Sequence, residues 1–300
     1  MAKTDAPELW LGVPAAWVLQ PREMLFEART ATLALMCLVC LVSVGFVAQA
    51  LDDVKGYRDG TDDINYAPGR ERRRERKPLI EGNLSERQAL VFATGAGFVA
   101  VVVGLAIAVV VDFRPLWLVF ATAVMAALAI QYSFGFAFSY RLPGGGELVL
   151  AVTMASSTVL TNAVLSGKFS ITALAIGWLL GTSILQVSVC GSTNDASGDR
   201  QAGRRTVAVL TSPAVNRWFV LVLIGQGIVY LFVIVAFGLA PAVLVLFALP
   251  ALCLQIMQLR AVARDDWLRA RGLGFRALRY LGLAVLGSFL VTGGLAWNSN

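Results

Sequence analysis

Aspartates cluster at the ends of two long apolar stretches of this sequence. The stretch 31–51 runs directly into five aspartates, and the stretch 171–190 runs into Asn194-Asp195-Ala-Ser-Gly-Asp199. Carboxylates near the edge of a bilayer are costly unless a metal ion or a basic side chain accompanies them. Asp195 and Asp199 are four residues apart and share one helix face, which suits the binding of one hard cation. The five aspartates of the first cluster are Asp52, Asp53, Asp59, Asp62 and Asp63.

Basic residues follow each acidic cluster closely enough to bind an anion beside a metal. Arg76 and Lys77 precede Pro78, and this placement favours contact with a phosphate over free solvation. Arg200, Arg204 and Arg205 follow Asp199. Between the clusters, aromatic residues alternate from Tyr132 to Tyr140 ahead of Arg141 and a triple glycine, which predicts an extended loop lying over the bundle.

The residue types that are missing exclude several kinds of catalysis. The chain contains no histidine, so Ser-His-Asp and Cys-His nucleophilic schemes and imidazole ligation of zinc or haem are excluded. Its four cysteines lie in or at the ends of apolar stretches and indicate no disulfide framework. The Cys37-x-x-Cys40 pair is interpreted as a packing feature, because no second pair completes a zinc site.

The composition predicts an all-α integral membrane protein. Hydrophobic residues make up 57% of the 300 residues and the mean hydropathy is +0.71, whereas soluble domains are usually about 45–50% apolar. We expect one domain, residues 1–300, built as a polytopic helix bundle. Stretches of about 20 apolar residues span a bilayer, and eight are expected at 31–51, 89–111, 115–133, 148–166, 171–190, 218–238, 241–257 and 278–296.

The distribution of basic residues predicts the orientation of the protein in a cell membrane. If the connections alternate sides, 20 of the 25 lysines and arginines fall on the side of the two acidic clusters. This is the positive-inside pattern, so we expect the acidic loops to be cytoplasmic. The net charge of +6 is thereby explained by topology and anionic ligands, and nucleic acid is not an expected partner.

Two segments are not expected to span the bilayer. The segment 9–19 contains Trp10, Pro14 and Trp17 and is too short to cross. It is interpreted either as a helix at the membrane interface or as a half-buried helix packed on the bundle. The segment 260–279 carries charges that largely cancel and is interpreted as a solvated linker.

Three motifs together are similar to the UbiA superfamily of intramembrane prenyltransferases. Asn194-Asp195-x-x-x-Asp199-x-x-Ala202-Gly203-x-Arg205-Thr206 resembles its second aspartate motif in the form found in dihydroxynaphthoate prenyltransferases. Lys77-Pro78-Leu79-x-x-Gly82-x-Leu84-Ser85 resembles its R-P-L-x-x-G segment, and the stretch 132–147 resembles its tyrosine-to-glycine-glutamate loop. The first motif departs from the usual N-D-x-x-D-x-x-x-D, since this chain has Asp52-Asp53-x-x-Gly56-x-x-x-Gly60.

The resemblance implies a UbiA-type bundle of eight to nine spans and a Mg²⁺-dependent reaction of a prenyl diphosphate. It implies Mg²⁺ and diphosphate binding by Asp52, Asp53, Asp59, Asp195 and Asp199, with Asp52, Asp53, Asp195 and Asp199 catalytic. The implied substrate contacts are made by the basic, amide and phenolic side chains of Arg76, Lys77, Arg141, Asn194, Arg205, Tyr57, Tyr132 and Tyr140.

Two reactions fit the resemblance. An aromatic or other lipophilic acceptor can trap the allylic cation, which is prenyl transfer and the preferred interpretation. An internal alkene can trap it instead, which makes the protein a terpene cyclase acting on a substrate such as geranylgeranyl diphosphate. An ion-coupled transporter is the alternative of another class, and it is disfavoured because the acids lie at one membrane face and no inverted repeat is visible.

Overall fold

Helices form all the regular secondary structure of the described residues. The computed structural model describes residues 8–67, 75, 77–112 and 115–293. Six helices in this part of the chain are long and apolar enough to cross a membrane. They are α3 (Ala28–Arg58), α5 (Glu86–Val110), α8 (Gly145–Ser166), α9 (Ile171–Asn194), α12 (Pro213–Ala236) and α15 (Trp267–Thr292). Two shorter apolar helices are α6 (Leu116–Ile130) and α14 (Leu249–Ala263).

Short helices connect these elements or cap the bundle. The chain enters through a 3-10 turn, Glu8–Leu11, and seven helices of at most seven residues follow at intervals along the chain. They are α1 (Gly12–Val18), α2 (Arg22–Leu25), α4 (Thr61–Asn65), α7 (Phe138–Arg141), α10 (Ala196–Gln201), α11 (Val207–Leu210) and α13 (Val243–Phe247).

The all-helical membrane bundle is confirmed, while two expectations about individual segments are wrong. The predicted span 241–257 is helical in two pieces, α13 and α14, which meet at Ala248. The segment 260–279 is not a solvated linker, since α15 begins at Trp267 and buries Ala270, Leu273 and Ala277. The aromatic stretch 132–140 is a series of turns leading into α7 and not an extended strand-like loop.

The pair α8 and α9 forms the centre of the bundle. Protein buries 78% of the apolar part of α9 and 61% of that of α8, compared with 11% for α5. Small residues allow this close approach: a Cβ atom on Gly177 would lie 2.5 Å from the carbonyl oxygen of Ala155. Helices in a bilayer associate chiefly through such close packing, because lipid provides no hydrophobic drive between them.

We expect Gly177→Ala to destabilise the bundle by about 1–3 kcal/mol, the usual cost of overpacking a dense core. Gly225→Ala in α12 is the matched control, because an added Cβ there meets nothing within 4 Å. Since alanine favours a helix over glycine, the control should be neutral or slightly stabilising. Thermal unfolding of both variants in one detergent measures the difference, and equal unfolding temperatures would contradict the proposed packing role of Gly177.

The segment 9–19 is a buried part of the bundle rather than an interfacial helix. Leu11, Ala16 and Leu19 are almost fully buried. The segment contacts α3, α8, α9 and α15. Glu8 is buried at its start and pairs with Arg279 of α15 at 2.7 Å. Of the two interpretations open from the sequence, packing on the bundle is the correct one.

Candidate active site

A cavity of about 260 Å³ lies at the end of the bundle where α3 and α9 terminate. The lining along α9 changes from Ile184 and Val187 to Ser188, Ser192 and finally Asp195. The lining along α3 likewise runs from apolar to charged. The cavity therefore has apolar walls inside the bundle and a polar mouth. The α3 residues that line it are Gly45, Ala48, Gln49 and Asp52.

Helix periodicity determines which residues of α3 and α9 face the cavity. Positions 45, 48, 49 and 52 are spaced i, i+3, i+4 and i+7, so they lie on one face of α3. At 31 residues α3 is about 46 Å long, which exceeds the hydrocarbon thickness of about 30 Å and lets its last turns extend out of the apolar layer. Asp195 ends α9, and α10 then brings Asp199 to the same mouth.

Arg204 joins the two acidic clusters. Its Nη2 lies 3.2 Å from Oδ1 of Asp52, and its Nε lies 3.8 Å from Oδ1 of Asp199. Nε also donates a hydrogen bond of 3.2 Å to the hydroxyl of Tyr140. The side chain is only 12% exposed, so these contacts hold the guanidinium at the polar mouth of the cavity.

Backbone hydrogen bonds point Arg204 inward. The amide of Arg204 donates to the carbonyl of Asp199 at 2.8 Å, and the next amide, that of Arg205, donates to Ser139 at 2.9 Å. The side chain of Arg205 is exposed and donates to the carbonyl of Arg141 at 3.2 Å. Of the two adjacent arginines, only Arg204 lines the cavity.

Electrostatics at the mouth favour an added cation. The pKa of Asp199 is raised to about 7, chiefly by burial; Arg204 opposes this shift and the carboxylate of Asp195 adds to it. Burial alone would lower the pKa of Arg204, but Asp52, Tyr132, Tyr140 and Asp199 together outweigh this and hold the pKa well above its usual value. The positive charge near Asp199 is therefore too small to offset the burial of its carboxylate. Carboxyl groups with pKa values shifted in this way are common at functional sites.

Lys77 lies between two carboxylates of the first cluster. Its Nζ is 2.8 Å from Oδ1 of Asp53 and 2.6 Å from Oδ1 of Asp62, and its side chain is 7% exposed. Burial alone would lower the pKa of Lys77, but the carboxylates of Asp53 and then Asp62 raise it above its usual value. Lys77 and Asp62 line the cavity, whereas Asp53 does not.

Asp59 also faces away from the cavity. It caps the end of α3, where its Oδ2 accepts a hydrogen bond from Tyr140 and its Oδ1 accepts from the hydroxyl and amide of Thr61. Burial raises the pKa of Asp59, but the hydrogen bonds from Thr61 and Tyr140 lower it by a larger amount. The pKa therefore lies below its usual value. Asp59 therefore supports Tyr140, which in turn contacts Arg204.

The predicted site residues fall into two groups. The structure brings Asp52, Lys77, Tyr132, Asp195 and Asp199 together around one cavity. The other predicted site residues that the structure describes lie outside the cavity lining. Arg76 is not among the described residues. Those outside the lining are Asp53, Asp59, Tyr57, Tyr140, Arg141, Asn194 and Arg205.

Some of the other predicted residues have identifiable surroundings. Tyr57 is 44% exposed at the surface of α3. The guanidinium of Arg141 stacks on Phe136 with a centroid distance of 5.1 Å. The amide of Asn194 donates to Oδ1 of Asp195 at 3.1 Å, so it contacts the site through that aspartate.

Three charged cavity residues were not in the predicted set: Asp62, Arg204 and Arg271. Asp62 and Arg204 belong to stretches whose acidic and basic character was recognised, but their orientation depends on turns between helices. Arg271 lies in the segment interpreted as a linker. The sequence signal there was the helical spacing of Ala270, Leu273 and Ala277, all of which are buried.

The donor atoms at the mouth fit Mg²⁺. Asp52, Asp195, Asp199 and Ser192 offer oxygen ligands, which hard cations prefer. Among the described residues, no group of three or more acidic or cysteine side chains is placed to hold a metal ion by itself. Mg²⁺ usually binds through one or two carboxylates while phosphates and waters complete its octahedron. The arrangement therefore suits Mg²⁺ that binds together with a phosphate-bearing ligand.

Comparison with protein families identifies a match that covers most of the chain. Residues 9–279 match the model of the UbiA prenyltransferase family. A comparison with curated proteins found no significant match.

Solved structures of UbiA homologues share this fold. The apo structure of a UbiA homologue from Aeropyrum pernix K1 superposes with a TM-score of 0.71 at 14% identity, over 94% of this chain and 98% of that one. A UbiA homologue from Archaeoglobus fulgidus bound to GPP and Mg²⁺ gives a TM-score of 0.59 at 13% identity, over 93% and 96%. A structure of digeranylgeranylglyceryl phosphate synthase gives a TM-score of 0.64 at 12% identity, over 96% of this chain and 95% of that one.

Proposed function

This chain belongs to the UbiA prenyltransferase family, and we propose that it transfers the prenyl group of an allylic prenyl diphosphate to an aromatic or other lipophilic acceptor, with Mg²⁺ as cofactor. The observation that carries the proposal is the cavity with its polar mouth and apolar interior. A prenyl diphosphate has the same polarity, because an anionic head is joined to a long apolar tail. The A. fulgidus homologue, whose structure holds GPP and Mg²⁺, supports this assignment.

Each part of the cavity has a role in the proposed reaction. Asp52, Asp195 and Asp199 would hold Mg²⁺ only together with the diphosphate oxygens, and the metal would stabilise negative charge on the diphosphate. Arg204 donates hydrogen bonds to the diphosphate oxygens, and these bonds strengthen as the allylic C–O bond breaks and its electron pair leaves with the diphosphate. The two carboxylates that contact Arg204 keep it in place before substrate arrives.

The inner walls protect the allylic cation. Ile184 and Val187 line the cavity two to three turns of α9 before Asp195, and they exclude water that would otherwise trap the cation as an alcohol. The acceptor then forms the new bond to the allylic carbon and loses one proton, which restores its neutrality. Tyr132 also lines the cavity, and its proposed role is to position the acceptor.

We propose that the mouth opens at the cytoplasmic face of the cell membrane. The support is the asymmetry of basic residues, since 20 of 25 lysines and arginines fall on the side of the acidic clusters. A soluble metal ion and the released diphosphate then exchange with the cytoplasm, while the prenyl tail and the acceptor remain in the bilayer.

Product analysis tests the reaction. The purified protein is incubated with prenyl diphosphates of several chain lengths, with and without a lipid extract as acceptor, and the products are identified by mass spectrometry. We expect Mg²⁺-dependent release of diphosphate together with a prenylated adduct that forms only when acceptor is present. A hydrocarbon made from geranylgeranyl diphosphate alone would identify a terpene cyclase instead, and absence of diphosphate release from every donor would contradict both reactions.

A further inference from the structure

The ammonium of Lys77 is enclosed by groups of the first acidic cluster and its surroundings. The ring of Tyr66 lies over the ammonium, with Nζ 5.6 Å from the ring centroid. The two carboxylates that bond to it, those of Asp53 and Asp62, are 16% and 7% exposed, and the lysine itself is 7% exposed. This ion pair therefore lies largely out of water, where an ammonium is held far more firmly than in a surface pair.

The fold holds Lys77 in this position before any ligand binds. Two residues after it, Leu79 is buried against Val54 of α3 and Ala89 of α5. The carbonyl of Lys77 accepts a hydrogen bond of 3.1 Å from the amide of Glu81, which closes a turn directly after the lysine. The segment that carries the ammonium is thus fixed on two long helices.

The short helix α4 brings the second carboxylate to the same ammonium. Gly60 has a left-handed backbone conformation (φ 76°), which turns the chain sharply after α3. A Cβ atom on Gly56 would lie 2.8 Å from Oδ2 of Asp62, so the glycine leaves room for that carboxylate beside α3. As a result, Asp53 from α3 and Asp62 from α4 converge on Lys77.

A point where two carboxylates converge is the kind of position that otherwise attracts a divalent ion. In the described part of the chain, Asp53 and Asp62 are not joined by a third acid into a group that could hold a metal ion. The ammonium contacts them at 2.8 and 2.6 Å, which leaves no room for a second cation between them.

The other side of the mouth differs in its contacts. Arg204 lies 3.2 Å from Asp52 and 3.8 Å from Asp199, which are looser contacts than those of Lys77. Asp195 lines the cavity there as well and adds a further carboxylate. Negative charge therefore remains available for a metal ion on this side, whereas Lys77 already supplies the cation on the other.

We propose that Lys77 is a built-in cation that takes the place of a metal ion at the first acidic cluster, so that each chain binds a single exchangeable divalent ion, at Asp52, Asp195 and Asp199. The inference rests on the proposed function, because it specifies the metal content of the same site. One acidic cluster is then neutralised permanently, and only the other depends on metal from solution.

Counting bound metal tests the inference in the unmodified protein. The detergent-purified chain is dialysed to equilibrium against Mn²⁺ and inorganic pyrophosphate, and bound Mn²⁺ is measured by elemental analysis. Mn²⁺ is a suitable probe because it accepts the same oxygen ligands as Mg²⁺. We expect one Mn²⁺ per chain at saturation. Two per chain would overturn the inference and leave the proposed function standing, whereas no binding at all would remove both.

Lys77→Met tests the exchange of an ammonium for a metal directly. The variant loses the cation that Asp53 and Asp62 share, so it should unfold at a lower temperature than the wild type. Saturating Mn²⁺ without pyrophosphate should then raise its unfolding midpoint by about 5 °C or more. The wild type should shift by less than about 1 °C, since its remaining aspartates hold metal only together with diphosphate oxygens.

Lys55→Met is the matched control. Lys55 also pairs with an aspartate of the first cluster, Asp59, but at 3.9 Å and with 37% of its side chain exposed. Its loss should create no response to Mn²⁺. A Lys77→Met variant that folds and gains no stabilisation by Mn²⁺ would overturn the inference, as would an equal gain in Lys55→Met. If Lys77→Met does not fold, the metal count of the wild type decides.

Discussion

Asp199→Asn is expected to lower the rate of diphosphate release about a hundredfold to a thousandfold, the scale typical of removing one preorganised electrostatic group from an active site. The amide keeps the size of the carboxylate but removes the charge that balances a metal ion. Because the folded protein raises the pKa of Asp199 to about 7, its ionised form costs stability above its ordinary pKa of 3.8. The variant should therefore unfold at the same temperature as the wild type or higher.

Opposite effects on rate and stability distinguish a functional carboxylate from a structural one. Asp265→Asn serves as the control, since Asp265 pairs with Arg217 at the surface and should affect neither the rate nor Mg²⁺ binding. Diphosphate release and thermal unfolding are measured on the same preparations. Retention of more than about a third of the wild-type rate by Asp199→Asn would refute its role in catalysis.

Arg204→Ala should reduce diphosphate release about a hundredfold, whereas Arg205→Ala should leave it nearly unchanged. The side chain of Arg204 is only 12% exposed and lies between Asp52 and Asp199. The side chain of Arg205 is exposed and donates to the backbone carbonyl of Arg141. Loss of the guanidinium removes a donor to the departing diphosphate and leaves two carboxylates without this partner. The comparison is informative because the two arginines are adjacent and identical in type.

Arg204→Lys separates charge from geometry. A lysine supplies a cation but lacks the planar fork that contacts two groups at once, so we expect partial recovery of the rate relative to Arg204→Ala. Single-turnover measurements with prenyl diphosphate report the step directly. If Arg204→Ala and Arg205→Ala lose equal activity, the assignment of the inward arginine is wrong.

Helices that are apolar on all faces were predicted correctly from the sequence. The first turns of α15, which are apolar on one face only, were not predicted as a helix. The spans at α3, α5, α8, α9 and α12 were recognised from continuous hydropathy. The first turns of α15 carry Arg269, Arg271 and Arg276, which lower the average hydropathy and made this segment look like a linker. Its spacing of buried residues was nonetheless helical.

The site was predicted at the level of clusters and not at the level of individual side chains. Asp195 and Asp199 follow directly from helix spacing, and both line the cavity. The orientation of Arg204 over Arg205 depends on backbone bonds to Asp199 and Ser139, which have no local sequence signal. Asp62 belongs to the first acidic cluster but was not among the predicted site residues, because its place at the cavity depends on the turn at Gly60 between α3 and α4.

The buried segment 9–19 joins two parts of the bundle that are far apart in the sequence. Leu11 packs against Gly282, and Glu8 pairs with Arg279, two contacts between segments about 271 residues apart in the chain. The segment 9–19 therefore completes its native environment only when α15 is in place. Contacts between segments so distant in sequence form slowly, because the entropy of closing the long intervening loop must be overcome first.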